Sequence, residues 1–199
     1  MGIILDSGLT FEYHINHLFC SLNFTLKRLY CLNINLPLQV RRNVAHALMS
    51  KLLYGLEVYS ATSITLTNRI KVLFNSVARY VFNVPLSYHI SDYTKQLLSL
   101  DVENYILFRL LFFFYKIITT QAPQYLTNQF AFSRSMRSQQ ILIPRIFNTL
   151  YERSLLVRVA RCWNRFPSDL KLFNLSPSVF KDKLLLYAAN NRLLWVFSL

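Results

Sequence analysis

Glycine is scarce in this sequence: there are three in 199 residues, and Gly55 alone lies beyond the first ten. Phosphate-cradling loops and the Gly-x-Ser-x-Gly nucleophile elbow both need glycines at fixed spacing, and neither pattern occurs. Carboxylates are scarce too. The nine Asp and Glu are scattered with no two adjacent, whereas polymerases and nucleases that work through two metals need clustered carboxylates to hold the ions. The closest pair, Asp101 and Glu103, suits the positive end of a helix better than a metal. No residue is therefore assigned a catalytic or metal-binding role, and no cofactor is expected in this chain.

Cysteine is limited to Cys20, Cys31 and Cys162, an odd and widely spaced set that makes no disulfide framework and fits a reducing compartment. His14, His17 and Cys20 follow one another at steps of three, but such positions rotate around a helix rather than converge on a zinc ion. No apolar run reaches the roughly 20 residues that a membrane span takes. The densest, Tyr105 to Tyr115, is interrupted by Arg109 and reads as a buried core helix. Met1 to Asp6 lacks the basic region of a secretory signal. The expectation is an intracellular protein, cytoplasmic or nuclear, that is not secreted and has no transmembrane segment.

What is abundant is apolar surface and positive charge. With 53% hydrophobic, 15% aromatic and 16% charged residues, the chain is unlike a disordered tail and is long enough to bury a core. Lys and Arg number 22 against 9 acids, a net charge of +13. Such a surface attracts polyanions without reading sequence, and the attraction weakens steeply as salt rises. Nucleic acid is the natural partner, with an anionic membrane or an acidic protein as the other candidates.

The pattern along the chain is mainly helical: a helical bundle with a short N-terminal β-hairpin and a second, smaller helical part. Residues 1–11 read as two short apolar strands around Asp6-Ser7-Gly8, with Gly8 supplying the positive φ of a tight turn. From Glu12, Ile15, Leu18, Phe19, Leu22, Leu26, Leu29 and Tyr30 recur at helical steps. Val44, Leu48, Leu52 and Leu56 mark a second helix after Pro37, with Arg41, Arg42 and Lys51 on its polar side. Ile70, Leu73, Phe74, Val77 and Val81 mark a third, capped by Thr65 or Thr67, and completing an antiparallel bundle over 12–84. Gly55 reads as a close-packing point or helix irregularity. The region 85–199 holds a short helix that Ser91 or Asp92 can cap, the apolar helix ending before Pro123, and a long basic loop at about 121–145 with a short strand at Ile141-Leu142-Ile143. Two further helices follow, one with Leu155, Leu156, Val159 and Trp163 inward and Arg153, Arg158, Arg161 and Arg165 on or beside the opposite face, and one starting at Ser176-Pro177.

The basic residues fall into two sets. Between Ala131 and Lys171 stand Arg134, Arg137, Arg145, Arg153, Arg158, Arg161, Arg165 and Lys171, against only Glu152 and Asp169. Arginine forks grip phosphates bidentately, so these are candidate nucleic-acid contacts. The second set, Lys27, Arg28, Arg41, Arg42 and Lys51 with Arg69, Lys71 and Arg79, lies on the first three helices. A solvated charged face is the plain alternative, though such faces normally mix both signs. Trp163 is expected in the core, and Tyr125 is expected to anchor packing after Pro123.

Gly2-Ile3-Ile4-Leu5-Asp6, Leu9-Thr10-Phe11, Leu53-Tyr54-Gly55-Leu56, Asn75, Arg79, Tyr115-Lys116-Ile117-Ile118, Ala122-Pro123-Gln124-Tyr125-Leu126, Ile143-Pro144-Arg145 and Trp163-Asn164-Arg165-Phe166-Pro167 come in an order that resembles the region after the palm in reverse transcriptases of non-LTR (LINE-type, jockey-like) retrotransposons. Where that family often has a Trp-Leu pair before its long middle helix, this chain has Leu98-Ser99-Leu100. The resemblance implies the thumb and downstream helices of an RNA-directed DNA polymerase, gripping the backbones of an RNA or DNA template-primer nonspecifically. It implies that the 1–11 hairpin is the trailing edge of a palm domain lying before Met1, whose Ala-Asp-Asp-type motif and Mg2+ would carry catalysis in the full-length enzyme. The alternative is a helical interaction module whose apolar and basic surface docks onto a protein or an anionic membrane.

Overall fold

The computed structural model describes residues 2–32, 36–133, 139–171 and 173–190. It divides into two compact units, Met1–Val102 and Glu103–Leu199. Both are mainly helical.

Three long helices make the first unit: α1 (Glu12–Leu32), α2 (Leu38–Leu53) and α4 (Ile64–Phe82), with the single-turn α3 (Leu56–Tyr59) and α5 (Ser91–Leu98) between and after them. Their directions follow from named contacts. Arg69 donates to Asn16 Oδ1, so the starts of α4 and α1 meet. Tyr30 and Tyr80 touch edge to face at 5.6 Å, so their ends meet as well and the two helices run parallel. Arg42, near the start of α2, lies over Phe82 at the end of α4, which makes α2 antiparallel to both. Ile15, Leu18, Leu22, Leu26, Leu48, Leu52, Ile70, Leu73, Phe74, Val77 and Val81 form the core, matching the helical spacing of the sequence. Tyr30 departs from it, being 42% exposed.

The expected N-terminal hairpin is not formed, since residues 2–10 have no strand and the described residues contain only an isolated bridge, Phe132 with Ile141. The reason lies in Asp6. Its carboxylate accepts from the Thr10 and Phe11 amides at 2.9 and 2.7 Å, folding the segment into a turn that leads into α1 instead of back along itself. Positive φ falls on Leu9 (48°) and Phe11 (58°), not on Gly8. The bridge at Ile141 likewise replaces the expected strand at 141–143.

Gly55 is both things its sequence context suggests. It breaks α2 from α3 in a left-handed conformation (φ 68°), and a Cβ there would collide with Ile3 Cδ1. The N-terminal segment thus packs on the turn that only glycine fits. The cap of α4 is Ser63, accepting from Leu66 N–H, rather than Thr65 or Thr67. At α5 the N-cap is Ile90, with no side-chain cap bond from Ser91 or Asp92. Leu98 and Leu100 are both buried around Ser99, which takes the left-handed position that ends α5, so the departure from a Trp-Leu pair leaves this packing intact.

The second unit contains α6 (Val102–Thr120) from Glu103 onward, α7 (Gln124–Thr127), α8 (Thr149–Glu152), α9 (Leu155–Arg165), a 3-10 turn (Ser168–Leu170) and α10 (Pro177–Asn190). Its core is aromatic. Trp163, fully buried, stands 5.1 Å from Phe114 and 5.0 Å from Phe173, while Tyr115 stacks on Phe180 at 3.7 Å. Three buried polar side chains are satisfied by backbone: Trp163 Nε1 donates to Gln139 O, Tyr115 Oη to Leu175 O and Asn104 Nδ2 to Ala188 O. Tyr125 is 69% exposed, so it does not anchor packing.

Candidate nucleic-acid interface

The two basic sets have different fates. In the later one, Arg134 and Arg137 lie outside the described residues. Arg145 is exposed and holds its guanidinium 5.7 Å from the Phe147 ring, and Arg153 and Arg165 are exposed. Arg158 is a correction to the sequence reading, which set it on or beside the polar face of its helix. It sits on the inner side of α9 between Val157 and Val159, with 8% exposure, and burial pulls its pKa down. Arg161 pairs with Glu152 at 2.7 Å, both half-buried. Lys171 is buried with its ammonium donating to Asn164 O at 3.0 Å, and burial lowers its pKa. Three of these eight cations are thus occupied inside the unit or in an ion pair.

Spacing alone misjudged Arg158 because α9 is short and strongly sided. Leu155, Leu156, Val159 and Trp163 define one face, and Arg158 lies at its edge, adjacent in rotation to Cys162. That thiol is pushed up to about 12 by burial, against the opposing pull of Arg158.

The earlier set does gather. Antiparallel packing brings the end of α1, the start of α2 and the end of α4 together, and with them Lys27, Arg28, Arg41, Arg42 and Arg79. Lys27 and Arg28 are exposed, and Arg28 lies 5.6 Å from the Phe24 ring. Arg42 is half-buried over Phe82. Arg79 donates to the carbonyls of Pro85 and Tyr88, which ties the turn after α4 to this end. Lys51 is elsewhere, on the last turn of α2. There it lines a cavity of about 490 Å3 with Gly2, Ile4, His14 and Tyr54.

The three long helices bring only cations to this end, while Asp92 on α5 stands next to Tyr93, whose ring meets Phe82 at 5.3 Å. Glu12 is the only acid on α1, and it stands at the opposite end; α2 and α4 carry none. Arg79, in the last turn of α4, complements the negative pole there, whereas Arg41 and Arg42 directly follow the first turn of α2, toward its positive pole. Tyr30 and Tyr80, which the charge inventory missed, sit among these cations. Burial raises both phenol pKa values, with Arg79 opposing at Tyr30 and Arg41 opposing at Tyr80. The helical spacing marked Tyr30 as inward and did not single out Tyr80, which is the fully buried one of the two. A surface of this kind can bind phosphates through charge and guanidinium forks.

Among the described residues, no helix is long and apolar enough to cross a membrane, and no group of three His, Cys, Asp or Glu is placed to hold a metal ion. No protein-family model, no curated protein and no solved structure matches the chain.

Proposed function

We propose that this chain binds the phosphate backbone of a nucleic acid through the basic end of its three-helix bundle, as the thumb and downstream helices of a non-LTR retrotransposon reverse transcriptase would. The carrying observation is the convergence of Lys27, Arg28, Arg41, Arg42 and Arg79 on one bundle end to which α1, α2 and α4 bring no carboxylate. Arg145, Arg153 and Arg165 add exposed charge in the second unit. Binding of this kind is insensitive to base sequence and steeply dependent on salt.

The ordered sequence blocks from Gly2 to Pro167 support the origin, and the missing Ala-Asp-Asp-type motif supports a chain that by itself does not polymerise. In that reading the palm domain and its Mg2+ belong to the parent enzyme. Binding of a labelled RNA–DNA duplex, followed by fluorescence anisotropy across a salt series, tests the first part. A steep negative log–log slope is expected, and a flat one overturns it. Primer extension with magnesium tests the second, with no incorporation above background expected.

A second reading, docking onto a protein partner, draws on one observation. Leu142, Ile143, Ile146, Phe147 and Leu150 are all exposed within nine residues, and Phe147 is 79% exposed. Salt-tolerant association with a defined protein, in place of polyanion binding, would favour it.

A further inference from the structure

The start of α2 is built against the usual rules for a helix N-terminus. The helix runs for 16 residues, yet Pro37 at its N-cap makes no side-chain cap bond and the first turn holds no acid. Positions that normally carry Asp or Glu are followed instead by Arg41 and Arg42, at the pole where the helix dipole disfavours cations. The first amides of a helix, here those of Leu38, Gln39 and Val40, have no intrahelical acceptor.

A second, independent feature lies beside it. The Tyr80 hydroxyl and Arg41 Nε are both shielded from solvent and both lack a hydrogen-bond partner, and Tyr80 is 0% exposed. Buried polar groups are nearly always paired, so two orphaned groups within one another's electrostatic reach mark a place where an acceptor is missing. Arg79 cannot supply one, because a guanidinium has no acceptor, and its own donors are committed to Pro85 and Tyr88.

We propose that the N-terminus of α2, with Arg41, Arg42 and the Tyr80 hydroxyl, is a discrete site for a phosphate group. A tetrahedral oxyanion there accepts from the first-turn amides, which have no acceptor within the helix, and from the Arg41 fork. Turning the half-buried Arg41 side chain onto the anion frees Nε and the Tyr80 hydroxyl to find acceptors, and the anion's charge reverses the unfavourable pairing of two arginines with the positive helix pole. The carrier of the phosphate, a nucleic-acid strand, rests on the function proposed above; the site itself does not.

The test is NMR titration of the 15N-labelled full chain, following the Leu38, Gln39 and Val40 amides. Inorganic phosphate is added in one arm, and short DNA oligonucleotides with and without a 5′-phosphate in two others. Saturable shifts confined to the start of α2 are expected. Arg41→Gln should weaken phosphate binding about tenfold or more and Tyr80→Phe severalfold, while Lys181→Gln, at an exposed position of α10 in the second unit, leaves it unchanged. If Arg41→Gln does not fold, Arg41→Lys keeps the charge without the fork and should still bind more weakly. Diffuse, non-saturating shifts, or full-strength binding by the folded Arg41 and Tyr80 variants, overturn the site.

The two readings separate cleanly. Loss of the phosphate site with salt-dependent oligonucleotide binding intact removes the site and leaves the backbone grip. Phosphate binding without any oligonucleotide binding keeps the site, with free phosphate as its ligand, and removes the nucleic-acid carrier.

Discussion

Asn164 and the backbone of Ile141 hold each other by two hydrogen bonds of 2.8 Å: the Ile141 amide donates to Oδ1, and Nδ2 donates to the Ile141 carbonyl. The side-chain amide thus imitates the partner strand that the isolated bridge at Ile141 lacks. Its neighbour Trp163 secures the same loop through Gln139 O. The Trp163-Asn164 pair in the sequence is therefore a structural clamp, with the indole filling the core and the carboxamide satisfying a chain segment that has little secondary structure of its own.

Asn164→Ala should destabilise the second unit by about 1 to 3 kcal/mol, because it leaves a buried amide and a carbonyl without partners. Chemical denaturation would register this as a lower midpoint. Hydrogen exchange should show the Ile141 amide losing protection first, and unchanged protection there would count against the clamp.

Gly55→Ala should cost roughly 1 to 3 kcal/mol through its left-handed backbone and the collision with Ile3. Ile3→Ala in the same chain relieves only the collision. The double variant should therefore recover part of the loss, and simple additivity of the two changes would show that Ile3 and Gly55 are not coupled.

Replacing both Arg41 and Arg42 by Gln should make the log–log dependence of nucleic-acid binding on salt shallower by about 2, one for each phosphate no longer neutralised. Arg158→Met tests the opposite case. With its charge buried, it should leave the slope unchanged and act on stability instead, so a shallower slope would put Arg158 at the interface after all.

His14 is 4% exposed, accepts from the Ile4 amide at 3.4 Å and meets Tyr59 edge to face. Burial, with a smaller contribution from His17, holds its pKa below the usual 6.5. The unfolded chain therefore binds a proton that the folded chain resists, and stability rises with pH through this window. It should be fully present above about pH 6.5 and fall as pH drops toward the folded value. His14→Phe should flatten this part of the stability profile, and an unaltered pH dependence would show that His14 does not set it.

Cys20 and Cys31 are exposed, whereas Cys162 is buried, with its thiol pushed up to about 12. Thiolates are the reactive species. At neutral pH a thiol reagent should label two cysteines in the folded protein and the third only after unfolding. Rapid labelling of Cys162 in the folded state would mean that α9 packs too loosely to cover it.

The contrast between Arg42 and Arg158 shows how far the sequence could be read. Both stand on amphipathic helices, and both were set on or near a polar face by the same three- and four-residue spacing. For Arg42 that holds in part, because the buried side of α2 is limited to Ala45, Leu48, Met49 and Leu52 and leaves Arg42 half-buried over Phe82. For Arg158 it fails, because the buried side of α9 takes in Val157, Arg158, Val159, Ala160, Cys162 and Trp163 and is wider than the stripe of spaced apolar residues. Tyr80 is a different case, a residue outside the inward set of spaced apolar positions whose orphaned hydroxyl emerges only when α2 is laid antiparallel to α4.

The amino-acid sequence by itself determined the helical periods, the aromatic core around Trp163, the irregularity at Gly55 and the excess of cations, since each depends on local spacing or composition. Tertiary structure decided that Asp6 turns the chain into α1 instead of nucleating a hairpin, that Arg158 and Lys171 are buried, and that Lys27, Arg28, Arg41, Arg42 and Arg79 meet at one end. These outcomes depend on which groups compete for the same amides and which helix ends are brought together. Such contacts join residues far apart in the chain, so no local pattern encodes them.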